Sequence, residues 1–180
     1  MRAPAAKPHD GATEALVGIG SNIQPLANVE KAFVAMREAG ILVSSSRLWS
    51  TPPVGTAGPP FVNAAAIVQF PHCIEPLQGW LRSLEERLGR VRTQDKYAPR
   101  TIDLDLLAIR DGAWLTVETR LGEQPFHWSA IAELVPGLLL STDETVAEAL
   151  AARPLQDAVP LERAQRDSTV RPWRVGRIPR

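Results

Sequence analysis

Asp103 and Asp105 stand two residues apart in the run Pro99-Arg100-Thr101-Ile102-Asp103-Leu104-Asp105-Leu106-Leu107. In a strand, alternate side chains share a face, so both carboxylates point one way while Ile102, Leu104 and Leu106 point the other. Strand rise separates the two backbones by about 7 Å, a gap that flexible side chains close around one or two metal ions. Oxygen donors of this kind suit magnesium, which commonly takes one or two carboxylates and completes its shell from substrate phosphates. The alternative is a pair of solvated acids on a half-exposed strand. Upstream lie Arg90, Arg92, Lys96 and Arg100, and guanidinium forks match phosphate oxygens. That cluster weighs the region toward a polyphosphate with magnesium, against a charged loop pairing locally with Glu85, Glu86 and Asp95.

A second chemistry sits in Thr51 to Pro60, where four prolines and two glycines in ten residues exclude regular structure. Such a loop is stiff enough to preorganise its backbone for a flat polar ligand. Phe61 and Asn63 follow at strand spacing and share a face: an aromatic platform beside an amide could seat a heterocycle. Ordinary core packing of Phe61, with Asn63 serving a turn, is the competing reading. The P-loop, GxSxG and HExxH patterns are absent. The histidines, His9, His72 and His127, are scattered and carry no ligand spacing. Cys73 has no partner for an intramolecular disulfide, fits a reducing compartment and reads as a buried or inert thiol.

The elements that must carry these groups follow from periodicity. Ala15 to Gly20 reads as a buried strand closed by Ser21-Asn22. Asn28 to Glu38 reads as a helix burying Val29, Ala32, Phe33 and Met36, capped by Asn28 and ended by Gly40. Ile41 to Ser50 and Phe61 to Phe70 read as strands. Glu75 to Leu88 reads as a helix with Leu77, Trp80, Leu81, Leu84 and Leu88 on one face, stopped by Gly89. Arg90 to Arg100 is a basic loop, Thr101 to Ile109 a strand, and Trp114 to Val117 a short hairpin return. This order predicts an α+β, ferredoxin-like βαββαβ fold, an antiparallel sheet with helices packed on it. Ala130 to Leu134 and Glu144 to Ala152 are predicted as additional C-terminal helices.

Four segments together resemble the 6-hydroxymethyl-7,8-dihydropterin pyrophosphokinase family of folate biosynthesis. They are Gly18-Ile19-Gly20-Ser21-Asn22; Thr51-Pro52-Pro53-Val54-Gly55 with Phe61-Val62-Asn63-Ala64-Ala65; Glu85 through Arg92; and Pro99 through Leu107. The resemblance spans roughly residues 15 to 110 and implies a ferredoxin-like core. It implies an enzyme that uses ATP and magnesium, two ions, to transfer the β,γ-pyrophosphoryl unit to the pterin hydroxymethyl oxygen. Asp103 and Asp105 would ligate magnesium, while Arg90, Arg92 and Arg100 match phosphate-contacting positions. Lys96 and Tyr97 fall in a mobile catalytic loop, and Glu85 matches an acid near the nucleotide. Thr51, Pro53, Val54 and Asn63 would line the pterin pocket, with Phe61 and Phe126 stacking on its rings. Past residue 110 the likeness thins. Glu118 stands where the family has a histidine and Gln124 where it has an arginine, with Arg120 nearby. These departures motivate a second reading, a divergent paralogue that acts on another pterin or binds pterin without efficient transfer.

The bulk properties agree with a small-molecule enzyme. The 180 residues carry 20 basic and 20 acidic side chains, so functional charge must be local, and no global charge points to nucleic acid or an anionic membrane. No run approaches the ~20 apolar residues of a membrane span. Residues 1–13 read as a disordered leader without a secretory apolar core, 14–152 as the pyrophosphokinase domain, and 153–180 as an arginine-rich tail or wrapping segment. The expected setting is cytoplasmic, as a monomer or alternatively a homodimer, with small-molecule substrates. A ferredoxin-like nucleic-acid-binding module remains the third reading, but RNA-binding sheets present stacking aromatics and Thr101 to Ile109 has none.

Overall fold

The computed structural model describes residues 13–53, 58–71, 74–93, 98–141 and 143–161. His9, His72, Cys73, most of the expected leader and the tail from residue 162 lie outside them. The first strand, β1 (Thr13–Ser21), is buried without interruption from Ala15 onward. A continuous apolar run of this kind belongs in the middle of a sheet covered on both faces. β1 indeed pairs antiparallel with β4 (Phe61–Phe70) on one side and β5 (Asp103–Asp111) on the other. β5 returns through Gly112, at φ 69°, into the edge strand β6 (Ala113–Thr116). Beyond β4 lie β2 (Leu42–Ser45) and β3 (Trp49–Thr51), and β7 (Val159–Pro160) adds to the far side of β3. The central order β5-β1-β4 with β2 and β3 outside is the ferredoxin-like arrangement expected from the sequence.

The strand expected over Ile41 to Ser50 is divided in two. The Ser46 hydroxyl accepts from the Ala65 N–H at 2.9 Å, standing in for a backbone carbonyl, while the Ser46 N–H donates to the Ala65 carbonyl. The side chain thus occupies a ladder position, and regular pairing resumes only at Trp49.

α1 (Pro25–Glu38) begins three residues before the expected Asn28. Its cap is Gln24, in the left-handed region at φ 43°, followed by Pro25, whose missing N–H costs nothing at the first helical position. Asn28 lies within the first turn, and its Nδ2 donates to the Ile23 carbonyl at 2.6 Å. The helix closes as expected at Gly40: Gly40 donates to Arg37 and Ile41 to Met36, the paired bonds of a Schellman ending. α2 (Ile74–Arg87) ends the same way at Gly89, with φ 85°.

α1 and α2 bury Val29, Ala32, Phe33, Met36, Leu77, Leu81 and Leu84 against Val17, Ile19, Ala64, Ala66 and Leu104 on one sheet face. The opposite face carries a separate core around Leu16, Ala65, Leu107 and Ala108. It is covered by α3 (Trp128–Ala132), α4 (Val146–Ala152) and two short 3-10 turns, Leu121–Glu123 and Pro125–His127. Leu107 and Ala108 both reach this core because β5 bulges opposite Leu16 and Val17. The second core covers only part of its face, and a cleft opens at Gly20, beyond the His127 ring that lies over Gly18.

Candidate active site

Strand register builds the floor of the site. Gly20 pairs with Asp103 on one side and Asn63 on the other; Gly18 likewise lies between Asp105 and Ala65. Laterally paired residues share a face, so the two aspartates and Asn63 look out over a row of glycines. Lacking a side chain, Gly20 leaves a trough, while the space over Gly18 is taken by the His127 ring. A Cβ on Gly20 would come within 3.0 Å of Asn63 Oδ1, and one on Gly18 within 2.8 Å of the His127 ring. The Gly18-Ile19-Gly20 spacing is therefore a close-approach requirement.

The trough opens into a cleft of about 870 Å3, within the usual range for small-ligand sites. Of the sequence-derived candidates, Thr51, Pro53, Phe61, Asn63, Glu85, Arg90, Arg92, Arg100, Asp103, Asp105 and Phe126 all line it. Val54, Lys96 and Tyr97 lie outside the described residues. At the apolar end, Asn63 is buried and its Nδ2 donates to the Thr51 hydroxyl at 2.7 Å. This fixes the amide so that its oxygen stays over Gly20, with Phe61 two residues away along the same strand.

At the charged end the residues form a chain of ion pairs. Arg92 meets Glu85 at 2.7 Å, Glu85 meets Arg90, Arg90 also meets Asp103, and Arg100 takes the other oxygen of Asp103. The Schellman turn at Gly89 explains the first links: Arg90 N–H donates to the Glu85 carbonyl, folding Arg90 back over the side chain it pairs with. Glu85 is only 2% exposed and also accepts from the Leu104 N–H at 2.9 Å, which ties α2 to β5 between the two aspartates. The local pairing with Glu85 weighed from the sequence is thus present, and it is what aligns Arg90 and Arg92 along the cleft. Burial pushes the Glu85 carboxyl above its usual range, beyond what the Leu104 N–H and the arginines offset. Burial would lower Arg90, but Asp103 and Glu85 raise it, so it stays a cation.

Arg100 is set by the turn after β1. Asn22 Oδ1 accepts from the Arg100 N–H at 2.6 Å, the Asn22 N–H donates to the Arg100 carbonyl, and the Ser21 hydroxyl donates to Thr101 O at 2.6 Å. Ser21-Asn22 therefore anchors the entry to β5, a role that the turn signal alone did not reveal. Glu118 and Arg120, on the segment where the family likeness thins, also line the cleft. The Glu118 carboxylate accepts from the Arg120 N–H at 2.9 Å.

Asp105 differs from Asp103. Its side chain is 42% exposed to the cleft and faces His127 Nε2 at 3.8 Å. Partial burial pushes its carboxyl up, yet the imidazole and the charges of Arg90 and Arg100 outweigh this and hold it below the ordinary aspartate range. Asp105 is therefore an anion at neutral pH, next to a second carboxylate on the same face. Two hard oxygen donors at the mouth of a polar cleft, with arginines placed for the remaining negative charge of a ligand, fit magnesium together with a polyphosphate.

One cleft thus joins a cationic end with a carboxylate pair to an aromatic and amide end, on a ferredoxin-like α+β frame. A profile of the 7,8-dihydro-6-hydroxymethylpterin-pyrophosphokinase family matches residues 16–136, and the chain belongs to that family. Among relatives, a 2-amino-4-hydroxy-6-hydroxymethyldihydropteridine pyrophosphokinase of Synechocystis sp. is 32% identical over 130 residues, 68% of this chain and 66% of that protein. The Pseudomonas putida protein of the same name is 34% identical over 54% of this chain and 82% of its own length. A folate synthesis bifunctional protein of Arabidopsis thaliana is 30% identical over 74% of this chain but only 29% of its own length. Among the described residues no helix is long and apolar enough to cross a membrane.

Proposed function

We propose that this chain transfers the β,γ-pyrophosphoryl group of ATP to the hydroxymethyl oxygen of 6-hydroxymethyl-7,8-dihydropterin, with magnesium held by Asp103 and Asp105. The observation carrying this reading is that one cleft joins the Asp103–Asp105 face to the Thr51–Phe61–Asn63 pocket. Family membership and the names of the relatives support it.

Thr51 and Asn63 would present hydroxyl and amide groups to the edge of the pterin, while Phe61 and Phe126 offer ring faces. This aims the hydroxymethyl arm along the glycine row toward the aspartates. Arg90, Arg92 and Arg100 would exchange carboxylate partners for phosphate oxygens and neutralise the migrating group. Phosphoryl-type transfer asks mainly for such positioning and charge neutralisation. Asp103 and Asp105 would hold the magnesium, which would supply Lewis-acid neutralisation of the polyphosphate and activation of the alcohol. The new bond joins the pterin oxygen to the β-phosphorus, the bond from the β-phosphorus to the α,β-bridging oxygen breaks, AMP leaves with that oxygen, and the hydroxyl proton passes to solvent.

The test is AMP release from ATP and magnesium, with and without the pterin. Wild-type protein is expected to form AMP only with pterin present. Asp103→Ala and Asp105→Ala are expected to lose about a hundredfold or more, the scale of removing one main electrostatic stabiliser, with circular dichroism unchanged. Near-normal turnover in either variant would eliminate the metal assignment. The carboxylate of Glu118 in the cleft favours one competitor, a paralogue that binds pterin without efficient transfer. Calorimetric pterin binding with no AMP formed would select it.

A further inference from the structure

His127 is 2% exposed, and neither ring nitrogen has a hydrogen-bond partner among the described residues. An imidazole always carries at least one N–H, and leaving a buried donor unpaired is destabilising. Chains do not ordinarily keep such a group without use for it. The fold also makes room for this ring. Gly18 lies beneath it, where any Cβ would come within 2.8 Å of Cε1, and Phe126 packs beside it at 4.5 Å between ring centroids. Gly18 is the residue paired with Asp105, so the ring is held directly beside that carboxylate.

Nε2 lies 3.8 Å from Asp105 Oδ2. That is too long for a hydrogen bond and too short for a bridging water. A small rotation of the exposed Asp105 side chain closes it, whereas the enclosed imidazole has no room to travel. The two aspartates are thus oriented differently. Asp103 has a guanidinium on each oxygen, while no hydrogen bond to Asp105 is made among the described residues. Ligating carboxylates need such outer partners to fix their direction, and losing one typically costs about 10–100-fold in metal affinity.

We infer that His127 is a positioning residue, donating from Nε2 to Asp105 so that the outer oxygen of this carboxylate is presented to the metal of the nucleotide complex. The inference rests on the proposed metal role of Asp105.

The experiment measures Mn2+ binding by electron paramagnetic resonance with α,β-methylene ATP present, in wild type, Asp105→Ala, His127→Leu and His127→Gln. His127→Leu is expected to weaken Mn2+ binding about tenfold or more. His127→Gln, which keeps an N–H near the Nε2 position, is expected to recover most of it. Unchanged affinity in His127→Leu, while Asp105→Ala abolishes binding, overturns the inference alone. Equal binding in wild type and Asp105→Ala overturns the metal reading and the inference with it. Should His127→Leu not fold, the wild-type imidazole reports directly by nitrogen-15 NMR. An Nε2–H signal that moves in Asp105→Ala supports the contact, and one that is absent or unmoved overturns it.

Discussion

Arg90 holds two carboxylates at once, Glu85 and Asp103, with 12%, 3% and 12% of the respective side chains exposed. Replacing it by methionine keeps the volume and leaves two crowded acids facing one another. Breaking a buried pair from one side costs about 3–5 kcal/mol, and Arg92 and Arg100 keep the expected loss near the lower figure. The pH dependence has a definite sign. A carboxyl raised on folding binds its proton more tightly in the native state, so its effect on stability worsens as pH rises from the ordinary glutamate value through the folded one. Glu85 is already raised by burial, and losing Arg90 raises it further. Urea denaturation of Arg90→Met should therefore show a deficit that grows from acid toward neutral pH; a constant deficit would mean that the guanidinium acts by packing alone. At this scale residue type and near spacing anticipated which side chains share the cleft, as with Asp103, Asp105 and the arginines. His127 was not legible because its meaning comes from Gly18 and Asp105, neighbours made by sheet pairing rather than by spacing.

Helix ends were legible where glycine must adopt positive φ, at Gly40 and Gly89, since few other residues tolerate that backbone. The start of α1 was not: Gln24 caps it without a side-chain bond, and Asn28, a good cap by type, is used inside the first turn. α4 was expected from Glu144, but it begins at Val146 behind a reciprocal cap. Thr145 Oγ accepts from the Glu148 N–H at 3.3 Å, and Glu148 accepts from the Thr145 N–H at 2.8 Å. The Thr-x-x-Glu spacing is a sequence signal for this motif. The Thr145 hydroxyl, then its N–H, hold the Glu148 carboxyl below its usual range. A depressed carboxyl contributes stability that is complete above the unfolded value and fades as pH falls through the folded one. Thr145→Ala should return the Glu148 carbon-13 titration toward the ordinary glutamate value and lower the thermal midpoint at neutral pH more than at strongly acid pH. A titration unchanged by the substitution would exclude the cap as the cause.

Across the whole molecule, strand order followed from the alternation of strands and helices, but the division of the sheet into two unequal cores did not. The second core depends on Leu121, Trp128 and Ile131 reaching Leu16 and Ala108 from the far end of the chain, and on a bulge that no local pattern announces. Its consequence is the cleft, which exists because α3 and α4 stop short of the glycine row. Among the described residues five arginines, 82, 90, 92, 100 and 120, line it against the carboxylates of Glu85, Glu118, Asp103 and Asp105. A chain with 20 charges of each sign thus concentrates both at one place, where a polyanion with a divalent cation would satisfy more of them than either alone. Anything that binds only the native state raises its stability, by about 2.7 kcal/mol at a hundred times the dissociation constant. For a chain of this size that corresponds to about 5–10 °C in the unfolding midpoint. Differential scanning fluorimetry with α,β-methylene ATP and magnesium should show a rise of this order, and EDTA should remove most of it, because the nucleotide alone would meet Asp103 and Asp105 without a cation between. A midpoint that rises equally with and without EDTA would assign phosphate binding to the arginines alone and leave the aspartate pair outside the nucleotide site.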